Sequence, residues 1–162
     1  MNDDPATALL LAGLDEAFDT KSWHGTNLRG SVRGVTVAQA AWRADKDRHN
    51  IREIVVHAAY WKYAVRRVIT ADKRGSFRLK GSNWFARDGT DPAQWASDLQ
   101  LLAEEHRRLR EAVASFDPHR LDQIAGRRFT YAGLIRGAAA HDVYHAGQIQ
   151  LLKRLKRLKR EA

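Results

Sequence analysis

Apolar residues recur at helical spacing in four long stretches of the chain, and no clear strand pair interrupts them. In residues 6–19, Leu10, Leu14 and Phe18 follow one another every fourth position, with Leu11 alongside and Pro5 near the start, where proline is tolerated. In residues 51–69 the inward stripe reads Ile51, Ile54, Ala58, Trp61, Val65 and Val68, and Asn50 with Glu53 has the spacing of a capping box. A third stretch opens with Asp91 as N-cap, Pro92 at the first helical position and Gln94 two residues on. It passes Trp95, Leu99, Leu102, His106, Leu109 and Val113 and ends near Ser115, before the break that Asp117-Pro118 imposes. Thr130 caps the fourth stretch, which carries Leu134 and Leu152 on one face and runs to Leu158.

The connections have their own punctuation. Residues 21–34 contain Gly25, Gly30 and Gly34 and read as a loop with a helical turn around Leu28. Thr36 caps a short helix over 37–42, and residues 43–48 are a charged connection. Residues 70–90, with Gly75, Gly81 and Gly89, form a long loop that Phe77, Trp84 and Phe85 pack against the body. Residues 121–129 connect the third and fourth helices, with Ile124 and Phe129 as anchors. The simplest assembly is one all-α domain over 1–162, a four-helix bundle with a short extra helix between the first two long ones. The last helix would extend about 43 Å against about 30 Å for the second. Its end, residues 153–162, is therefore expected to project as a basic helical extension.

Composition narrows the picture. A chain of 162 residues, 44% hydrophobic and 29% charged, can bury a core of its own. Residues 153–162 hold six Lys or Arg against one Glu, so +5 of the net charge of +9 is local to the tail. Nucleic acid is accordingly not an expected partner, and the tail reads first as a solvated helix end. Cysteine is absent, which excludes disulfides, thiolate ligands and a cysteine nucleophile, and fits a cytoplasmic protein. The start Met1-Asn2-Asp3-Asp4 is acidic, unlike a signal peptide, and no stretch has the roughly 20 apolar residues of a membrane span.

Chemistry concentrates in the fourth stretch. His141 and His145 stand one helical turn apart, on the face that carries Leu134 and Leu152. His57 lies three residues after Ile54 and four before Trp61, on the buried side of the second helix or its edge. Imidazoles facing a core require a partner, and a metal is the strongest candidate. Neutral imidazole suits Zn, Ni, Fe or Cu, and three protein ligands leave a position open. Spacing alone leaves a second reading open, core histidines satisfied by hydrogen bonds, most of all for His57. Asp142 points about 100° away from His141 and reads as an interhelical or surface partner. Tyr144 reads as packing with a bonded hydroxyl, Gln148 as a structural hydrogen bond, Trp61 as core and His24 as a loop histidine. His49, His106 and His119 receive no role. Gly133, Gly137 and Gly147 each cost the last helix roughly 1 kcal/mol relative to Ala, which close helix approach can offset.

The segment His141-Asp142-Val143-Tyr144-His145-Ala146-Gly147-Gln148-Ile149 closely resembles the HxxYHxGQI signature of the DinB/YfiT-like superfamily of metalloenzymes. His57-Ala58-Ala59-Tyr60-Trp61 resembles the family's first ligand motif, with support from Trp23-His24-Gly25 and Ala41-Trp42-Arg43. The resemblance implies an up-up-down-down four-helix bundle, often a homodimer. It also implies a divalent metal, nickel or zinc, held by His57, His141 and His145. Relatives in that superfamily include thiol S-transferases, a thiol-dependent isomerase and metal-dependent hydrolases. The expectation is a metal-dependent enzyme acting on a small-molecule substrate, with a low-molecular-weight thiol as cosubstrate if it transfers thiols. No catalytic residue is assigned. The alternative is a non-catalytic metal- or ligand-binding stress-response protein.

Overall fold

Side-chain caps set the helix starts. In the computed structural model, which describes residues 4–126 and 128–161, α1 spans Pro5–Phe18, and the Asp4 carboxylate accepts the Thr7 N–H at 2.8 Å. Two short helices follow, α2 (Leu28–Val32) and α3 (Val37–Ala40). The first is the helical turn expected around Leu28, and the second carries a Thr36–Gln39 capping box. The Asn50–Glu53 box opens α4 (Ile51–Thr70), and Asp91 with Pro92 opens α5 (Pro92–Ala114). A 3-10 turn at Pro118–Arg120 leads to α6 (Tyr131–Glu161), whose first turn is capped by Thr130 Oγ1 accepting the Gly133 N–H at 3.0 Å. The acidic start Met1-Asn2-Asp3 and Ala162 of the tail lie outside the described residues.

The protein is mostly helical. Helix α4 packs on α5 and α6, and α1 packs on the same two. Side-chain pairs fix the helix directions. Arg52 meets Asp98 and Lys62 meets His106, so α4 and α5 run the same way. Asp15 meets Arg110 while Phe18 stacks on His106, so α1 runs against α5. His57 meets His141 while Val65 and Ile69 share a cluster with Ile135, so α6 runs against α4. These directions replace the expected up-up-down-down order. The 21-residue crossover between α4 and α5 is long enough to return the chain to the starting end.

The core divides into two apolar clusters. One gathers Ile54, Val55, Leu102 and Ile149, and the other Leu14, Leu109, Val113 and Ile135. Between them along each helix sits a polar layer of Lys62, His106 and Asp142, all buried. The Lys62 ammonium bonds the Asp142 carboxylate and donates to His106 Nδ1 at 3.3 Å. Unpaired, either charge would be expensive at such depth, so the pair fixes which turn of α4 faces which turn of α6.

Several side chains differ from their expected places. Residues 51–59 of α4 are buried all round, because α5, α6 and the long loop cover that half of the helix. Beyond it the cover opens, and Trp61 is 40% exposed rather than core, with Val68 only half-buried. Ile124 and Phe129 do not anchor their connection. They belong to a minimal antiparallel pair, β1 (Ile124–Ala125) and β2 (Phe129–Thr130), and are 60% and 56% exposed, while Leu121 and Ala125 turn inward. The basic end of α6 does not simply project. Lys153 donates to the Ser31 carbonyl at 3.0 Å and Lys156 to the Ala38 carbonyl at 2.6 Å, each near the C-terminal end of a short helix. That is where a cation is electrostatically favoured.

The polar layer can be tested by urea unfolding. Lys62→Met should cost about 3–5 kcal/mol by stranding Asp142, and Lys62→Met/Asp142→Leu should recover most of that loss. A double variant no more stable than the single would show that the pair does not act as a unit.

Candidate metal centre

Three imidazoles meet where α4 faces the middle of α6. His57 Nε2 lies 3.1 Å from His141 Nε2, and His145 Nε2 lies 3.0 Å from the same atom. One ligand atom from each residue falls within 4.8 Å of the others, a group of the size that holds one metal ion. His57 and His145 are buried and His141 is half-buried.

Hydrogen bonds on the far side of two rings decide the tautomers. His57 Nδ1 stands 2.8 Å from the Asn83 carbonyl, which accepts only, so that nitrogen carries the proton. His145 Nδ1 likewise donates to Gln148 Oε1 at 2.7 Å, and the Gln148 amide is oriented by its own bond to the Tyr144 hydroxyl at 3.0 Å. Both Nε2 atoms therefore present lone pairs toward His141 Nε2, which can donate a single proton. A neutral triad cannot satisfy both contacts by itself. A cation among the three nitrogens would satisfy them all.

Aromatic rings hold the cluster in place. Trp84 is sandwiched between His57, at 3.7 Å and 9°, and His49, at 3.6 Å and 7°. His49 is tied to Glu53 at 3.0 Å, and Glu53 accepts hydrogen bonds from both terminal guanidinium nitrogens of Arg43. Burial alone would raise the Glu53 carboxyl, but the bonds from Arg43 and His49 outweigh it and hold it at about 2. Trp61 approaches His57 and His141 edge-on at 6.3 Å each, and its indole N–H donates to Asn83 Oδ1 at 3.0 Å. Asn83 thus serves both rings, from a left-handed backbone conformation with φ of 64°.

A family model for the DinB superfamily matches residues 22–149, most of the chain and all three histidines. The chain belongs to the DinB superfamily. Searches of curated proteins and of solved structures return no significant match.

In this DinB chain His57, His141 and His145 come together as the sequence placed them. His24 stays on an exposed loop and joins no metal-sized group among the described residues. Asp142 is fully buried and bonds Lys62, the interhelical partner expected. Gln148 bonds His145, and Tyr144 is exposed at 63% with its hydroxyl on Gln148. Asn83, Trp84 and His49 had no assigned place around the histidines. Trp84 was legible only as an aromatic in a loop, and nothing in the sequence marks the backbone carbonyl of Asn83. His106 also lacked a role, yet it is buried beneath Phe18 and beside Lys62.

The surroundings keep the imidazoles neutral. Burial, reinforced by His145, His57 and Lys62, pushes His141 down to about 3. Burial pushes His145 down to about 4 against the opposing bond to Gln148, and lowers His57 against its bond to Asn83. His106 is pushed to about 3 by burial and then by Lys62 and Arg110. In the unfolded chain these groups titrate near 6.5. Protons therefore favour the unfolded state once pH drops below about 6.5, and the loss continues toward the folded values near 4 and 3. Each imidazole contributes up to about 1.4 kcal/mol per pH unit in that window. The melting temperature of metal-free protein should fall steadily from pH 7 to pH 4.5. A flat or rising profile would contradict the buried neutral histidines.

Proposed function

We propose that this chain is a metalloenzyme acting on a small molecule, with His57, His141 and His145 as ligands of one divalent ion, nickel or zinc. The observation that carries the reading is the convergence of Nε2 lone pairs fixed by Asn83 and Gln148. The donor set fits such an ion. Three neutral imidazoles suit nickel or zinc, and nitrogen separations of 3.0 and 3.1 Å approach the roughly 3.3 Å of ligands on a tetrahedral centre with bonds near 2.05 Å. Three protein ligands leave a coordination position for a reactant.

The bound ion would supply Lewis acidity, for hydrolysis or for activation of an incoming thiol. The rest falls to the chain. Asn83 and Gln148 keep the Nδ1 protons in place, so the Nε2 lone pairs stay directed inward. Trp84 blocks rotation of the His57 ring by stacking on it. The exposed Tyr144 hydroxyl and the Trp61 edge lie where an approaching substrate would meet them. A chain without cysteine must take any thiol from a cosubstrate, so thiol transfer requires a low-molecular-weight thiol.

The wider reading is a single DinB-like four-helix-bundle domain working in the cytoplasm. Leu9 of α1 and Leu151, Leu155 and Leu158 of α6 are exposed and are the faces proposed for a homodimer. No described helix is long and apolar enough to cross a membrane.

Metal content by plasma mass spectrometry tests the site directly. Tag-free protein should carry near-stoichiometric nickel or zinc, and His57→Ala, His141→Ala and His145→Ala should each lose it with the helical circular dichroism intact. Gln148→Ala should keep the three ligands yet bind the ion about 10- to 100-fold more weakly in a chelator competition. Apo protein that refuses both added ions would end the metalloenzyme reading.

A further inference from the structure

A groove of about 630 Å³ opens between the second half of α4 and residues 74–82 of the long loop. Its lining includes the cations Arg67, Arg74, Arg78 and Lys80 and the aromatic side chains of Tyr60 and Trp61, with no Asp or Glu. Several arginines elsewhere pair with carboxylates, as Arg52 with Asp98, Arg66 with Asp72 and Arg110 with Asp15. In the groove, Arg78 bonds only the Ser97 hydroxyl among the described residues. The side chains of Arg67, Arg74 and Lys80 have no hydrogen bond or ion pair among the described residues.

The groove wall is anchored. The Tyr63 hydroxyl accepts the Gly75 N–H at 3.2 Å, and Phe77 and Leu79 pack on the apolar core. The groove borders the histidines through Trp61, which lines it and whose ring centre stands 6.3 Å from those of both His57 and His141. Ser82, the last lining residue of the loop, precedes Asn83, which holds both His57 and Trp61. A larger cavity between α1, α2 and α5 lacks this character, since Asp19 lies in it beside Arg29, its partner at 3.1 Å.

We infer that the groove is the anion-binding subsite of this protein. It takes the carboxylate or phosphate end of a small-molecule substrate, with Arg67, Arg74 and Lys80 as its cationic contacts and Trp61 as the wall shared with the imidazole triad. Guanidinium groups without a carboxylate partner suit an oxyanion, to which they donate charge-assisted bonds. The assignment of that anion to a substrate rests on the metalloenzyme reading, whereas anion binding itself does not.

Calorimetric titration of metal-free protein at low ionic strength, with inorganic phosphate and with succinate, tests the subsite. Saturable binding of at least one probe is expected, weakened about 10-fold or more in Arg67→Gln/Arg74→Gln and also weakened in Lys80→Gln. Arg154→Gln, on the far basic tail, should leave it unchanged. The probe that binds more tightly distinguishes a phosphate ester from a carboxylate. His145→Ala should retain anion binding whether or not the parent protein carries metal, so the two readings fail separately. No saturable binding of either probe, unaltered affinity in the groove variants, or an equal loss in Arg154→Gln would overturn the inference.

Discussion

A buried ammonium and a buried carboxylate must meet, and in this protein that requirement aligns the two helices that matter most. Lys62 lies five residues beyond His57 on α4, and Asp142 immediately follows His141 on α6. Once the pair is made in the gap between the two apolar clusters, sliding α6 by one turn would strand both charges. Hydrophobic burial stabilises the assembly without fixing its register, since one leucine replaces another at little cost. The pair adds the register, and with it the meeting of three imidazoles from two helices.

The long loop between α4 and α5 contributes more than a connection. It returns the chain to the end where α4 began, which lets the two helices run the same way. Along the way it supplies Asn83 and Trp84, which fix the tautomer and the ring plane of His57. Trp84 is itself supported by His49, Glu53 and Arg43. The same loop walls the cationic groove with Phe77 and Leu79 as its fastening. His57, its supports and the cationic groove are therefore built on one helix and the segment that follows it.

The helices and their caps were readable because they depend on local geometry. Asn50 and Glu53, Asp91 and Pro92, and Thr130 act within one turn of their own position, and each does so in the structure. Of the inward set of α5, Trp95, Leu102, His106, Leu109 and Val113 are buried, and Leu99 is half-buried. Periodicity was less reliable where a helix is covered unevenly. Trp61 continues the α4 stripe in register, yet it sits where the cover of α6 and the loop ends. Ile124 and Phe129 differ from expectation because both sit in a two-residue strand pair that leaves them exposed, and apolar character alone does not show whether a connection is covered.

By itself the sequence determined the four long helices, the lack of a cysteine nucleophile or thiolate ligand and the identity of the three histidines. Hydrophobic period, capping and the one-turn spacing of His141 and His145 are properties of a single helix. Tertiary structure decided the helix directions, the proton positions on His57 and His145, the burial of Lys62 with Asp142, and the carboxylate-free groove beside Trp61. Each of these depends on groups brought together from distant parts of the chain. A carbonyl such as that of Asn83 carries no residue-specific signal until the fold aims it at a ring nitrogen.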